Sequence, residues 1–129
     1  MGVDVTDPAA AFFEQLAHRG HEPVLEEVEG TIRFDLVEAE GTDYWFLEIQ
    51  KGDIRASREP RAADCVVQLD RVVANQIVTG ELQAHPAWLR RLYWVEGNLV
   101  LLRMFDRVFP GPPNAHHPRD LVRHGRQRR

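Results

Sequence analysis

The sequence predicts an α+β domain whose sheet is largely antiparallel. Apolar residues recur at helical spacing near the N-terminus, alternate at every second position through residues 30–69, and dominate a last segment over residues 98–109. The chain has 129 residues, of which 43% are hydrophobic and 28% charged, a size and composition typical of one globular domain. We therefore expect a single core.

The first helix is predicted over residues 8–19. Asp7 can accept hydrogen bonds from the free amides of the first turn, and Pro8 fits the first helical position because it loses no needed donor there. Gly20 is the predicted end of the helix. Its apolar side consists of Phe12, Phe13, Leu16 and Ala17. The four glutamates of residues 22–29 then indicate a solvated connector.

Five segments have the character of strands. They cover residues 30–36, 44–50, 54–57, 65–69 and 93–96. The first three should pair as antiparallel neighbours in sequence, with turns at residues 40–43 and 51–53. In the second strand, Trp45, Leu47 and Ile49 share one face. Cys65 falls on the core-facing side of the fourth strand, which makes it a small buried hydrophobe rather than a nucleophile.

Two short helices are predicted before the fifth strand. The first begins at Asp70 as its N-cap and ends at Gly80. The residues that share its apolar side are Val72, Val73, Gln76 and Ile77. The second begins near Pro86, with Arg90 and Arg91 directed outward. Its apolar residues are Trp88, Leu89 and Leu92.

The last helix, capped by Asn98, is apolar over well over half of its circumference. Its polar residues between 98 and 109 are Asn98, Arg103, Asp106 and Arg107. A helix on one face of a small sheet needs an apolar arc of only about 100°, so this helix must be covered on two sides. Either another helix or a dimer partner covers the excess, or a bound apolar molecule does.

Charge divides the chain into a predicted domain over residues 1–109 and a basic tail over 110–129. The tail carries five arginines against one aspartate, +4, which leaves −8 on the rest of the chain. Its prolines and few apolar residues favour disorder. We expect no nucleic-acid partner, because an acidic body repels a phosphate backbone, whereas the tail can contact an anionic membrane surface.

The composition excludes several classes of site. One cysteine allows no internal disulfide and no Cys-rich zinc site, and the tail histidines His116, His117 and His124 have no element to fix a metal geometry, so no metal is expected. No catalytic motif or phosphate-binding glycine loop is present, and no cofactor is expected. A cytoplasmic protein is expected, because the N-terminus lacks a signal-peptide pattern.

The order of these elements resembles the sterol carrier protein type-two family over residues 11–110. The matching strings are GTIRFDL at 30–36, WFLEIQKG at 45–52, ADCVVQL at 63–69 before a helix ending in Thr79-Gly80, VEGNL at 95–99, and VFP at 108–110. The resemblance implies a five-stranded sheet with helices packed on one face. It also implies an enclosed hydrophobic tunnel for fatty acyl chains, sterols or similar molecules, and no catalytic residues.

A tunnel of this kind would be lined by apolar residues of the helices. The candidate lining residues are Phe13, Leu16, Ile77, Trp88, Leu92, Leu99, Leu102 and Phe105. Burial of a lipid tail there contributes about 0.8 kcal/mol per CH₂ group. Arg90 and Arg91 are candidates for contacts with a carboxylate or phosphate head group. Ordinary core packing is the alternative role of each lining residue.

Three functions remain open from the sequence. The first is a non-enzymatic carrier of a hydrophobic small molecule. The second is an enzyme that reuses the pocket, with Glu48 or Glu96 as a general acid in a dry environment. The third is a homodimer or docking module that uses the apolar surface of residues 98–109.

Overall fold

The strands form one mixed sheet in the order β3-β2-β1-β4-β5. The computed structural model describes residues 7–110. The strands are β1 (Glu29–Glu38), β2 (Gly41–Gln50), β3 (Asp53–Ser57), β4 (Cys65–Asp70) and β5 (Trp94–Gly97). The helices are α1 (Pro8–Arg19), α2 (Arg71–Val78), α3 (Ala84–Leu89) and α4 (Leu99–Phe105), with 3-10 turns at Pro23–Leu25 and Asp106–Val108.

Three of the four strand pairs are antiparallel, which confirms the predicted class. The β1–β2 pair places Phe34 opposite Trp45, and β3 extends this meander. The chain then crosses to the other side of β1, where β4 runs parallel to it and pairs Phe34 with Val67. β5 pairs antiparallel with β4 and forms one edge of the sheet.

The bounds of α1 match the prediction. The Asp7 carboxylate accepts a hydrogen bond from the Ala10 amide at 3.3 Å, and Gly20 ends the helix at φ +73°. A left-handed backbone of this kind favours glycine, because it has no Cβ. Phe13 and Leu16 are buried against the sheet.

Residues from all four helices share one hydrophobic core with one face of the sheet. Its centre is aromatic: the Phe13 ring lies 5.0 Å from Phe34 and 5.4 Å from Trp45, and Phe34 lies 5.5 Å from Phe105. Leu47 and Ile49 lie on this face with Trp45, which confirms the predicted alternation of β2. The fold therefore has the helices on one side of the sheet, as expected.

Polar side chains cover part of the other face of the sheet. Phe46 is buried there, with the Arg61 guanidinium 4.6 Å from its ring centre. Asp35 is the buried charged residue of the described chain, and Arg33 binds both of its carboxylate oxygens at 2.8 and 3.0 Å. The ion pair explains why a buried aspartate is tolerated on this face of β1.

Several local predictions were wrong. Residues 41–43 belong to β2, because the hairpin turns over Ala39 and Glu40 alone. Asp70 occupies the N-cap of α2 as predicted, but its side chain makes no capping hydrogen bond. Val72 is 66% exposed, since the buried positions of this helix are Ala74 and Ile77, on its other side.

The connector and the last helix also differ from the prediction. Leu25 and Val28 of the predicted solvated connector are buried in the core. The last helix ends at Phe105 instead of 109, because a tighter 3-10 turn follows it. Its predicted N-cap is confirmed: the Asn98 side chain accepts a hydrogen bond from the Leu101 amide at 3.0 Å.

The tail predictions concern residues outside those that the structure describes, except for Pro110. The predicted disorder of the tail therefore stays a prediction, and so does the expectation that its histidines bind no metal. Among residues 7–110, no helix has the length and hydropathy needed to cross a membrane.

Candidate functional site

Three voids lie around α3 and α4, between the sheet and the helices. The core cavity is lined by Phe13, Ile77, Tyr93, Leu102 and Asp106, among others, and has a volume of about 20 Å³. This is room for about one water molecule and far too little for a lipid tail. Side chains therefore fill the interior almost completely.

The groove is a larger, open depression beside β5. It has a volume of about 800 Å³, and its walls include Leu69, Trp88, Leu92, Trp94 and Arg91. Trp94 is 54% exposed and Leu92 is 37% exposed. The groove thus presents apolar surface to solvent beside one cationic side chain.

The α3–α4 pocket is the third void. Its volume is about 220 Å³, and its walls include His85 and Trp88 from α3 and Leu99 and Leu102 from α4, together with Asp106. Leu99 is 40% exposed at this position. The pocket is therefore apolar on both helices, with titratable groups from each side.

Tyr93 is the wall that all three voids share. It is buried, and its hydroxyl donates a hydrogen bond to the Ala84 carbonyl at 2.8 Å. Burial raises the pKa of the phenol, which therefore stays neutral. Trp88 lines both the groove and the α3–α4 pocket, and Leu102 lines both that pocket and the core cavity, so the three voids adjoin.

α3 ends in a Schellman turn. The Leu92 amide donates to the Ala87 carbonyl and the Arg91 amide to the Trp88 carbonyl, both at 2.9 Å. The residue in the left-handed position of this turn is Arg91, at φ +63°. Glycine is the usual residue at this position, so the chain keeps an arginine side chain on the groove at a conformational cost.

Asp106 is the acidic residue of the core cavity and the α3–α4 pocket, whereas Asp70 lines the groove. It follows α4 directly, and its Oδ1 atom is shielded from solvent without a hydrogen-bond partner. Burial raises the pKa of its carboxyl to about 6, and Arg103 opposes this rise. The Asp106 charge also contributes to the raised pKa of Cys65, about 11, after the larger effect of burial.

The structure brings together only some of the residues predicted from the sequence. Those on the core cavity are Phe13, Ile77 and Leu102, and those on the outer voids are Trp88, Leu92, Leu99 and Leu102. Leu16 and Phe105 are fully buried and line none of the three voids. Arg91 lines the groove, whereas Arg90 is exposed and lines none of them.

Sequence reasoning missed three residues of the site: Tyr93, His85 and Asp106. The alternation pattern predicts Tyr93 only as the start of a strand, and it directly precedes β5. Asp106 belongs to the predicted polar stripe of the last helix. Its position four residues after Leu102 could have revealed that it shares the inward side of this helix.

The two glutamates named for the catalytic alternative lie outside the site. Glu48 and Glu96 are both exposed, so neither occupies the dry pocket that a general acid would need. Cys65 is buried and its thiol is hard to ionise, as predicted for a small core residue. Within residues 7–110, no group of three or more His, Cys, Asp or Glu side chains is arranged to hold a metal ion.

Comparison with known proteins gives a consistent result. Residues 11–110 match the model of the SCP-2 sterol transfer family. A search of curated proteins found no match.

Similar solved structures share the fold at low sequence identity. Sterol carrier protein domain 2 of Helicoverpa armigera has a TM-score of 0.65 and 15% identity, covering 84% of this chain and 91% of that one. The apo form of sterol carrier protein 2 from Yarrowia lipolytica has a TM-score of 0.63 and 18% identity, covering 88% and 98%. Palmitated SCP2L2 from Aedes aegypti has a TM-score of 0.62 and 14% identity, covering 89% and 100%.

Proposed function

The chain belongs to the SCP-2 sterol transfer family, and on this premise we propose that it is a non-enzymatic carrier that holds the apolar part of a lipid beneath α3. The observation that carries the proposal is the set of three adjoining voids with Tyr93 as their common wall. The similar protein from Aedes aegypti is palmitated, which makes a fatty acyl chain a reasonable first probe.

Binding requires the site to open. A core cavity of about 20 Å³ is too small for an acyl chain, so the ligand must displace α3 and the turn that carries Arg91. A dozen methylenes contribute about 10 kcal/mol of transfer free energy at 0.8 kcal/mol each. Micromolar binding requires about 8 kcal/mol, so contacts with the head group must offset most of the free-energy costs of association and opening.

Exposed apolar side chains around the voids support the same region as the lipid site. Leu89 is 63% exposed, Trp94 54% and Leu99 40%, and all three line the groove or the α3–α4 pocket. Exposed large apolar residues gathered around one opening are typical of a ligand or partner surface. A lipid that entered between them would remove this surface from water.

Arg91 is proposed to contact an anionic group of the ligand. It lines the groove, and its left-handed backbone favours glycine on conformational grounds alone. Arg90 is exposed beside it and is proposed to add to the positive potential at the same opening. The basic tail over residues 110–129 is proposed to bring the carrier to anionic membrane surfaces.

The test is the affinity for an environment-sensitive fluorescent fatty acid. In Leu92→Glu, a charge placed on the groove should weaken binding at least tenfold. Val72→Glu is the matched control, because Val72 is also exposed but lines none of the three voids. Equal affinities of the two variants would contradict the site, and failure of the wild-type protein to bind would contradict the carrier function.

A native mass spectrum of the protein purified from its host complements the probe. A bound lipid should add a discrete mass that disappears on denaturation and that identifies the ligand class. Absence of an adduct together with a negative probe assay would contradict the proposal.

A homodimer is the second candidate function, favoured by one observation. Val100 is 69% exposed on α4 and Leu99 40%, so the apolar excess of this helix is uncovered in the single chain. A mass that rises with concentration, and falls back in Val100→Glu, would support it. A monomer at high concentration would exclude it.

A further inference from the structure

We infer that Asp106 and His85 form a hydroxyl-selective subsite in the α3–α4 pocket. The hydroxyl of a bound amphiphile donates a hydrogen bond there to the Asp106 carboxylate. This inference rests on the proposed function, because the apolar part of the amphiphile must occupy the lipid site. It assigns a specificity-determining role to a carboxyl group that packing alone does not explain.

The first support is that two polar groups in one pocket lack partners. Asp106 Oδ1 and His85 Nδ1 are both shielded from solvent, and neither has a hydrogen-bond partner. Only six side-chain atoms of the described residues have this status, and two of them belong to residues that line this pocket. Buried polar groups are nearly always hydrogen-bonded in folded proteins, so this pair indicates a missing partner. Both atoms are shielded from the closed pocket as well, so a ligand reaches them only when α3 is displaced, as the proposed function requires.

The second support is the position of Asp106 between two voids. It lines both the core cavity and the α3–α4 pocket, and Leu102 lies on the same two voids. An amphiphile can therefore extend its tail past Leu102 into the opened core while its polar end remains beside Asp106. No other acidic residue lines either void.

The third support is the charge around the pocket. Arg103 lines it as well, and its charge acts on Asp106. An ammonium head group would be attracted by ionised Asp106 but repelled by Arg103, and a carboxylate head group would be attracted by Arg103 but repelled by Asp106, so neither gains a clear net attraction. A hydroxyl meets neither repulsion: it donates to the carboxylate and accepts from His85 Nδ1 in the tautomer that carries its proton there.

The two openings therefore differ in the head group that they favour. Arg91 lines the groove but not the α3–α4 pocket, and Asp106 lines the pocket but not the groove, whose acidic residue is Asp70. A long-chain acid is stabilised with its head group in the groove, and a long-chain alcohol with its head group in the pocket. The shared core accepts the tail in both cases.

The experiment compares dodecanol with dodecanoate as competitors of a fluorescent lipid probe at about pH 8. In Asp106→Leu, the affinity for dodecanol should fall about tenfold, because a hydrogen bond to a charged acceptor is lost. The affinity for dodecanoate should stay the same or rise. Arg91→Gln should have the opposite effect: the affinity for dodecanoate should fall, and the affinity for dodecanol should stay the same.

Asp106→Asn is the second variant, since it keeps the shape of the side chain and should weaken dodecanol binding by a smaller factor. Thermal melting of both variants checks that they are folded. If Asp106→Leu and Asp106→Asn change the two affinities equally, or not at all, the subsite is overturned while the carrier function stands. If the wild-type protein binds neither competitor, the carrier function and the subsite are both overturned.

Discussion

Arg71 and Asp106 each carry a charge that is largely withdrawn from solvent, but the fold treats the two charges differently. The Arg71 side chain is 12% exposed and contacts three carboxylates: Asp7 at 2.8 Å, Glu38 at 3.2 Å, and Asp43. Asp106 has a shielded oxygen without a hydrogen-bond partner. The chain supplies three counter-charges to Arg71, although Arg71 Nε itself has no hydrogen-bond partner, and it supplies none to Asp106 Oδ1.

The position of each charge explains the difference. Arg71 is the first residue of α2, and its partners lie before α1, at the end of β1 and near the start of β2. Burial lowers the pKa of this guanidinium, but the three carboxylates more than offset the effect and hold it charged. The Arg71 cluster thus joins four elements, whereas the region around Asp106 faces voids. A charge surrounded by several counter-charges indicates a structural role, and a shielded carboxylate oxygen beside voids indicates a place for a ligand.

Replacement of Arg71 should have the largest effect. In Arg71→Met, three carboxylates lose their common partner, and we expect a loss of about 3 kcal/mol in the free energy of unfolding, since the carboxylates are only partly buried. Denaturant unfolding measures it. Arg55→Met is the control, because Arg55 is exposed in β3. A loss no larger than that of the control would show that the Arg71 cluster does not stabilise the fold.

The sequence predicted the local elements well and the long-range contacts poorly. The end signals Asp7, Gly20 and Asn98 act within a few residues, so pattern reading found them. The Arg71 cluster joins side chains separated by up to 64 positions, and no local pattern encodes such a contact. The parallel pairing of β1 with β4 is likewise set by tertiary packing.

The candidate site was predicted only in part for the same reason. Phe13 and Leu102 follow helical spacing, so their inward side could be predicted. Leu92 and Leu99 share this apolar character, yet they lie at the outer openings, because α3 and α4 each present only one side to the core. Whether an apolar residue packs or lines a void depends on its neighbours in space.

Neutralising Asp106 should stabilise the protein above pH 6. Its carboxyl has an ordinary pKa near 3.8 and a folded-state pKa of about 6, so the folded protein binds the proton more tightly than the unfolded chain. Stability from this group therefore falls as pH rises from about 4 to 6. A pKa rise of this size corresponds to at most about 3 kcal/mol. Because solvent partly screens the carboxyl, we expect Asp106→Asn to stabilise by about 1 to 2 kcal/mol at pH 7.5.

Unfolding of both proteins across this pH range is the measurement, and the difference should vanish near pH 4. The groups that face Asp106 are Arg103, His85, Tyr93 and Cys65. Tyr93 and Cys65 stay neutral throughout because their pKa values are raised. His21 also has a raised pKa, through Asp53 and Glu26, but it is common to both proteins. A pH-independent difference would mean that Asp106 is not a strained buried acid.

Arg91→Gly should have the smallest effect, and its sign is the informative quantity. Glycine adopts φ +63° more easily than arginine, so we expect a gain of about 0.5 to 1 kcal/mol, seen as a higher melting temperature. Arg90→Gly is the control, because Arg90 has φ −87° and glycine gains nothing there. A loss in Arg91→Gly would mean that the Arg91 side chain packs structurally. A gain in stability together with weaker binding of long-chain acids would show that this arginine is kept for the ligand, as Asp106 is proposed to be.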